Sequence, residues 1–164
     1  MQIRPLHADD SFEELTALIR AAYAQLAALG FRYWGTYQSV EDTRHRCASG
    51  TCLVALAEGR IVGTVLLKEI FDEDDPALYL EPGTRVVSQF AILPELQGRG
   101  TGSKLLKEAE RVARRAGASQ VALDTAEGAA HLIAFYEKRG YRLAGTVDWH
   151  DTNYVSVLMA KTLD

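Results

Sequence analysis

Cysteine is scarce in this chain: there are two in 164 residues, Cys47 and Cys52. They lack nearby metal-ligating partners, so neither a zinc site nor a disulfide framework is indicated, and both are expected as small, buried, reduced thiols. Basic charge is not in excess either. Eighteen Lys and Arg against 22 Asp and Glu leave a formal net charge of −4, which argues against nucleic acid as the main partner. No apolar run of about 18 residues and no signal-peptide pattern occurs, so no membrane partner is expected and the chain is assigned to the cytoplasm. Repeats, linkers and low-complexity stretches are missing. Residues 1–164 are therefore expected to form a single domain, long enough to bury about 70% of its unfolded surface. His131 and His150 have no Ser or Cys partner in a recognisable triad. No metal site is expected.

What is present is an ordinary soluble composition, 48% apolar and 24% charged, arranged in alternating strand-like and helix-like segments. Gln2 to Leu6 reads as an edge strand. Ser11-x-x-Glu14 has capping-box spacing ahead of Leu15, Leu18, Ile19, Ala22 and Leu26, with Gly30 closing the helix. Phe31 to Tyr37 is an aromatic loop and Val40 to Ala48 a short polar helix. Cys52 to Ala57 and Ile61 to Ile70 flank a tight turn at Glu58-Gly59-Arg60. Asp72 to Pro82 reads as an acidic connection. Arg85 to Leu93 is dense enough in apolar residues for a central strand covered on both faces. A strongly amphipathic helix follows over Thr101 to Ala116, then a strand at Val121 to Asp124 and a helix at Ala129 to Arg139. Tyr141 to Val147 and Tyr154 to Met159 complete a hairpin. The order is β-α-α-β-β-β-α-β-α-β-β, a mixed α/β class with crossovers in its second half.

The densest information lies between strand Val86–Leu93 and the following helix, in Gln97-Gly98-Arg99-Gly100-Thr101-Gly102-Ser103. Alternating glycines there bare a row of backbone N–H groups at a helix N-terminus, a site for phosphate or pyrophosphate. The spacing misses the dinucleotide fingerprint, because position 103 is Ser where the third Gly belongs. It misses the nucleotide P-loop as well, because Ser103 precedes Lys104 and Leu105 follows it. The remaining pattern resembles the GNAT family of acyl-CoA-dependent N-acyltransferases, whose loop reads Gln/Arg-x-x-Gly-x-Gly/Ala. Phe135-Tyr136-Glu137-Lys138-Arg139-Gly140-Tyr141 is similar to that family's second signature, Tyr-Glu-Lys-x-Gly-Phe/Tyr. The resemblance is strongest from about Val86 to Tyr141.

The resemblance implies a GNAT-like fold, a mixed central sheet of six to seven strands flanked by about four helices. It implies direct acetyl transfer from acetyl-CoA to a primary amine. Gln97, Gly98, Arg99, Gly100, Thr101, Gly102 and Ser103 would receive the pyrophosphate. The backbone of Phe90, Ala91 and Ile92 would pair with the pantetheine arm, and Tyr136 would protonate the departing thiolate. One departure is Ala129, where the family often carries an Asn seven residues before the tyrosine; that loses one hydrogen bond, worth about 1 kcal/mol. The resemblance also allows a homodimer.

The general base stays open. A lysine-like amine costs roughly 4.6 kcal/mol to deprotonate at pH 7, an α-amine only about 1.4 kcal/mol, so the need depends on the acceptor. Asp124 at the end of its strand, Glu81 and Glu69 beside the acidic connection, and water relayed through Ser88 or Gln89 are the candidates. The acceptor is expected to be a small-molecule amine or a peptide amine. Phe31, Tyr33, Trp34 and Tyr37 would border its pocket or pack between helices, and Asp72 to Asp75 would attract a cation or stay solvated. A non-catalytic acyl-CoA sensor would share the loop; turnover with any acceptor separates the two.

Overall fold

A computed structural model describes all 164 residues. Seven strands form one sheet: β1 (Gln2–Pro5), β2 (Thr51–Ala57), β3 (Arg60–Lys68), β4 (Thr84–Ile92), β5 (Gln120–Ala126), β6 (Arg142–Val147) and β7 (Ser156–Thr162). Their spatial order is β1-β2-β3-β4-β5-β7-β6. Every neighbouring pair is antiparallel except β4 and β5, which the α4 crossover makes parallel. The helices are α1 (Phe12–Ala28), α2 (Val40–Ala48), α3 (Ala77–Leu80), α4 (Thr101–Arg115) and α5 (Ala130–Glu137). The segment expected as a plain acidic connection thus carries a helical turn, α3, and the last strand runs three residues further than its apolar pattern indicated.

Alternation along the strands sorts side chains onto the two faces. Cys52 and Val54 of β2 face one cluster with Leu15, Leu18 and Ile19 of α1 and Cys47 of α2. Leu53 and Ala55 face the other, with Leu105, Leu106 and Ala109 of α4 and Tyr136 of α5. Helices therefore cover both faces, and β4 lies fourth of seven, in the middle. The two cysteines are reduced and buried, with Sγ atoms 3.4 Å apart.

Helix starts show what the local code does. Ser11 accepts the Glu14 N–H, but the Glu14 carboxylate does not return to the cap; it accepts the Ile61 N–H at 2.9 Å instead. Half of the expected capping box has been diverted to tie α1 to β3. The complete box lies at Ser39 and Asp42, opening α2.

Candidate active site

The site begins with a failure of pairing. β4 and β5 are in register only from Thr84 against Gln120 to Val86 against Ala122. Beyond that point β4 keeps β3 and β5 keeps β7 as neighbours, and the two central strands diverge. From Val87 onward, the edge of β4 that faces β5 has no strand to satisfy it, a cost that a bound extended group would remove.

A bulge in β4 shapes that open edge. The register with β3 jumps from Leu66 against Ser88 to Thr64 against Ala91, and Gln89 takes φ +49°. The buried Gln89 side chain is held by the amide of Gln38 at 3.0 Å and reaches the Cys47 sulfur at 3.5 Å. Phe90 to Ile92 follow the bulge and line the wedge; the Phe90 N–H is directed at the Tyr23 hydroxyl of α1.

At the mouth of the wedge stands the glycine loop. Gly98 and Gly100 adopt φ +78° and +85°, backbone that only glycine enters without strain. Gly100 caps α4 with no side-chain bond, and the first helical bond is from the Lys104 N–H to the Gly100 carbonyl. The N–H groups of Thr101, Gly102 and Ser103 are therefore free of helical partners, and no acidic residue occupies that first turn. Gln97 anchors the loop by donating to the Ile92 carbonyl at 3.1 Å.

Two cavities fill the wedge. The first, about 400 Å³, runs from Gln97, Gly98, Gly100, Gly102 and Ser103 past Phe90, Ala91 and Ile92. The second, about 240 Å³, is walled by Lys68, Ser88, Trp34, Tyr79 and Trp149. They share five residues: Tyr23, Tyr33, Phe90, Asp124 and Tyr136. Two of the three residues expected to be catalytic, Asp124 and Tyr136, therefore line both cavities.

Tyr136 is 8% exposed, stacked edge-on against Phe135 and Tyr141. Burial, and after it the neighbouring Tyr23 and Tyr33, push its phenol above the ordinary value, so the hydroxyl stays protonated at neutral pH. Asp124 accepts from the Tyr79 hydroxyl on one oxygen and from Trp149 Nε1 at 3.0 Å on the other. Burial raises its carboxyl above the usual range, while those two donors pull the other way. Tyr33 is pinned by Thr125 at 2.8 Å and by the Ala126 N–H at 2.8 Å. Tyr23 lies flat on Gly35, where a Cβ would sit 2.6 Å from its ring.

Glu81 does not join this group, a correction to the expectation. It is exposed, lines neither cavity and accepts from Gln120 Nε2 at 2.8 Å. The reason is topological: Glu81 precedes β4, at the closed end of the wedge, where the parallel pairing begins. Glu69 likewise pairs with Arg85 at 3.0 Å. In the loop, the Arg99 and Thr101 side chains stay out of the cavity lining; Arg99 is exposed and Thr101 buried. Of the aromatic loop, Tyr33 and Trp34 wall cavities, whereas Phe31 packs edge-on against Tyr154 and Tyr37 lies beneath Arg32. Of the acidic run only Asp75 reaches a cavity wall. Ala129 is buried beside Leu26 and Ala126.

Sequence reasoning missed Tyr23, Tyr79, Trp149 and Arg139. Arg139 lines the first cavity with its guanidinium 3.6 Å over Phe135 and its Nε buried without a partner. An orphaned donor there, three free helix-terminal N–H groups and an unpaired strand edge together fit a phosphorylated carrier with an extended arm.

The sequence profile of the acetyltransferase (GNAT) family matches residues 14–141. The chain belongs to that family. It is 29% identical to the S-(2-succino)cysteine N-acetyltransferase of Bacillus subtilis (strain 168) over 153 residues, covering 92% of this chain and 90% of the relative. The S-alkylcysteine N-acetyltransferase of the same organism is 25% identical over 133 residues, covering 79% and 72%. Among solved structures, the PaiA N-acetyltransferase of Thermoplasma acidophilum in complex with coenzyme A superposes with a TM-score of 0.77 at 21% identity, covering 99% and 98%. The protein is an N-acetyltransferase with acetyl-CoA as its co-substrate. No helix is long and apolar enough to cross a membrane.

Proposed function

We propose that this chain transfers acetyl directly from acetyl-CoA to the primary amine of a small-molecule acceptor, with no acetyl-enzyme intermediate. The observation that carries this reading is the meeting of two cavities at Tyr136, Asp124 and Phe90. One side takes the cofactor: the Gly98–Ser103 amides receive the pyrophosphate, and Arg139 adds charge to the same channel. Phe90, Ala91 and Ile92 pair with the pantetheine arm along the unsatisfied edge of β4, with their amides close to the thioester carbonyl.

The acceptor amine enters from the other side and loses a proton toward Asp124, whose raised pKa makes it a better base than an exposed carboxylate. The amine nitrogen bonds to the carbonyl carbon as the C–S bond breaks. Tyr136 gives its proton to the leaving sulfur and recovers one shed by the new amide nitrogen. The names of the two Bacillus relatives, both N-acetyltransferases of S-substituted cysteines, support a small acceptor whose amine costs only about 1.4 kcal/mol to deprotonate at pH 7. We assign the enzyme to the cytoplasm, where acetyl-CoA is made. The exposed edge strand β6, with Leu143 58% exposed, supports pairing with a second copy of the chain.

The test is purified protein with acetyl-CoA and a panel of small amines, followed by thiol release and by the mass of the acetylated product. Product equal to thiol released, with unmodified protein throughout, is the expected result. A stoichiometric acetyl-protein formed without acceptor would overturn direct transfer.

A further inference from the structure

The second cavity carries a charge arrangement that the acetyl-transfer chemistry leaves unused. Two cations, Arg46 of α2 and Lys68 at the end of β3, line it from one side. Neither has a carboxylate within 4.0 Å; the four ion pairs of the chain are made by other residues. Arg46 is aimed, not loose. Its guanidinium lies 4.4 Å over the Trp34 ring and donates through Nη1 to the fully buried Gln38 at 2.9 Å, which leaves its other donors free. The Lys68 ammonium makes no hydrogen bond within the chain. Between them on β4, the Ser88 hydroxyl is buried without a partner and faces the same space. Burial lowers the pKa of both cations, and Arg46 lowers that of Lys68 further, while Asp75 and Asp124 pull Lys68 the other way. The same cavity is also lined by Asp124, already engaged by Tyr79 and Trp149, and by Asp75 and Asp151.

We propose that Arg46, Lys68 and Ser88 form a carboxylate-binding subsite, so that the acceptor is a small amino acid presenting its amine at Asp124 and Tyr136 and its carboxylate to the two cations. A zwitterion matches the cavity: cations on α2 and β3 with the Ser88 hydroxyl of β4, and carboxylates on β5 (Asp124), on the segment after β3 (Asp75) and between β6 and β7 (Asp151). Buried polar groups built to bind a carboxylate discriminate sharply against an analogue that lacks it, because they are then left unpaired. The assignment rests on the acetyl-transfer reading, and its test is chosen to fail separately.

The probes are S-methylcysteine, its carboxamide and the decarboxylated amine S-methylcysteamine, assayed with the full-length enzyme and saturating acetyl-CoA. The free acid is expected to exceed both analogues in kcat/KM by about tenfold to a hundredfold, the range for hydrogen bonds to a charged group. Lys68→Met is expected to raise KM for the acid at least about tenfold while moving kcat, and the KM of the decarboxylated amine, by less than about threefold. Arg46→Gln should act in the same sense; because Arg46 also packs on Trp34, Arg46→Lys is the control that keeps the charge and should recover part of the loss. Equal kcat/KM for acid, amide and amine would overturn the subsite, as would a Lys68→Met that weakens all three alike. Acetylation of a carboxylate-free polyamine, with none of the acids used, would overturn the subsite and leave acetyl transfer standing. A protein whose melting point ignores acetyl-CoA would overturn the cofactor reading itself.

Discussion

Replacing Tyr136 by Phe isolates one proton. The hydroxyl makes no hydrogen bond within the chain and opens onto both cavities, so its removal leaves no buried partner orphaned. The ring, with its edge-on contacts to Phe135 and Tyr141, is retained. Folding stability is therefore expected to hold within about 0.5 kcal/mol, and acetyl-CoA affinity within about twofold. The chemical step has no such cover. A positioned acid contributes about a hundredfold or more, so kcat is expected to fall roughly a hundredfold, or about 2.7 kcal/mol in barrier. Burial holds the phenol above its usual value, and the same surroundings disfavour a bare thiolate, so the demand for a proton is greatest in this site. The assay is steady-state thiol release, run beside melting curves with and without acetyl-CoA. A second arm uses an acetyl thioester whose thiol is far more acidic than an alkyl thiol near pKa 8.5. That leaving group needs little help, so wild type and variant should converge on it. Wild-type turnover in Tyr136→Phe with acetyl-CoA, or a loss of equal size with both thioesters, would refute the acid role.

Four further variants follow, three in the site and one at the Arg4–Asp10 ion pair outside it. Gly100→Ala forces φ +85° on a side chain and should cost about 1–2 kcal/mol, lowering Tm by roughly 2–8 °C. Gly102→Ala should not lower Tm, because its Cβ meets Ile92 and Phe90 atoms at an ordinary 3.5 Å, yet it should weaken acetyl-CoA binding by crowding the channel; calorimetric titration of both variants separates the effects. Tyr79→Phe removes a donor that holds the Asp124 carboxyl down, so the Asp124 pKa rises and the acidic limb of the kcat/KM profile should move to higher pH. A limb that stays in place would remove Asp124 as the base. Arg4 holds the Asp10 carboxyl at about 2, against 3.8 for the free group. Because the folded pKa is depressed, this stabilisation is complete above pH 3.8 and is lost as pH falls toward 2. Urea midpoints measured from pH 5 to 2.5 should fall more steeply for wild type than for Asp10→Asn, and parallel curves would contradict it.

The parts of this site that were legible in the sequence are those fixed by neighbours in the chain. Gly98 and Gly100 declare themselves because positive φ is a local demand, and Tyr136 because its segment follows the loop in a recognisable order. Even local rules can be outbid, as at Glu14, where the Ile61 N–H of a neighbouring strand takes the carboxylate that spacing assigned to Ser11. At the junction, Tyr33, Phe90, Asp124 and Tyr136 were individually legible, but Tyr23 and the convergence of all five were not, because they come from distant segments. Tyr79 reaches Asp124 across 45 residues, and Tyr33 reaches Thr125 across 92. Neither tyrosine belongs to a motif. Arg46 and Lys68 belong to no sequence motif, and only the fold brings them to one cavity. Glu81 fails for the converse reason: proximity in sequence to β4 placed it beside the wrong end of that strand.

The wedge also explains a strained residue. Gln89 is one of two non-glycine residues with positive φ, and the other, Glu58, lies in an exposed two-residue hairpin where such a conformation is common. Gln89 has no turn to excuse it. It is buried in mid-strand, where a left-handed residue costs about 1–2 kcal/mol. The surrounding structure holds it there: Gln38 and Cys47 bind its amide, Thr43 holds Gln38, and Thr16 of α1 holds Thr43 at 2.7 Å. That chain of buried bonds connects two helices to one bulge. Without the bulge, the two-residue alternation of β4 would continue in phase and the backbone of Phe90 to Ile92 would meet the wedge in a different register. The strain and the polar network that sustains it are thus concentrated at the position that sets the site's open edge, where a fold optimised for stability alone would keep a regular strand.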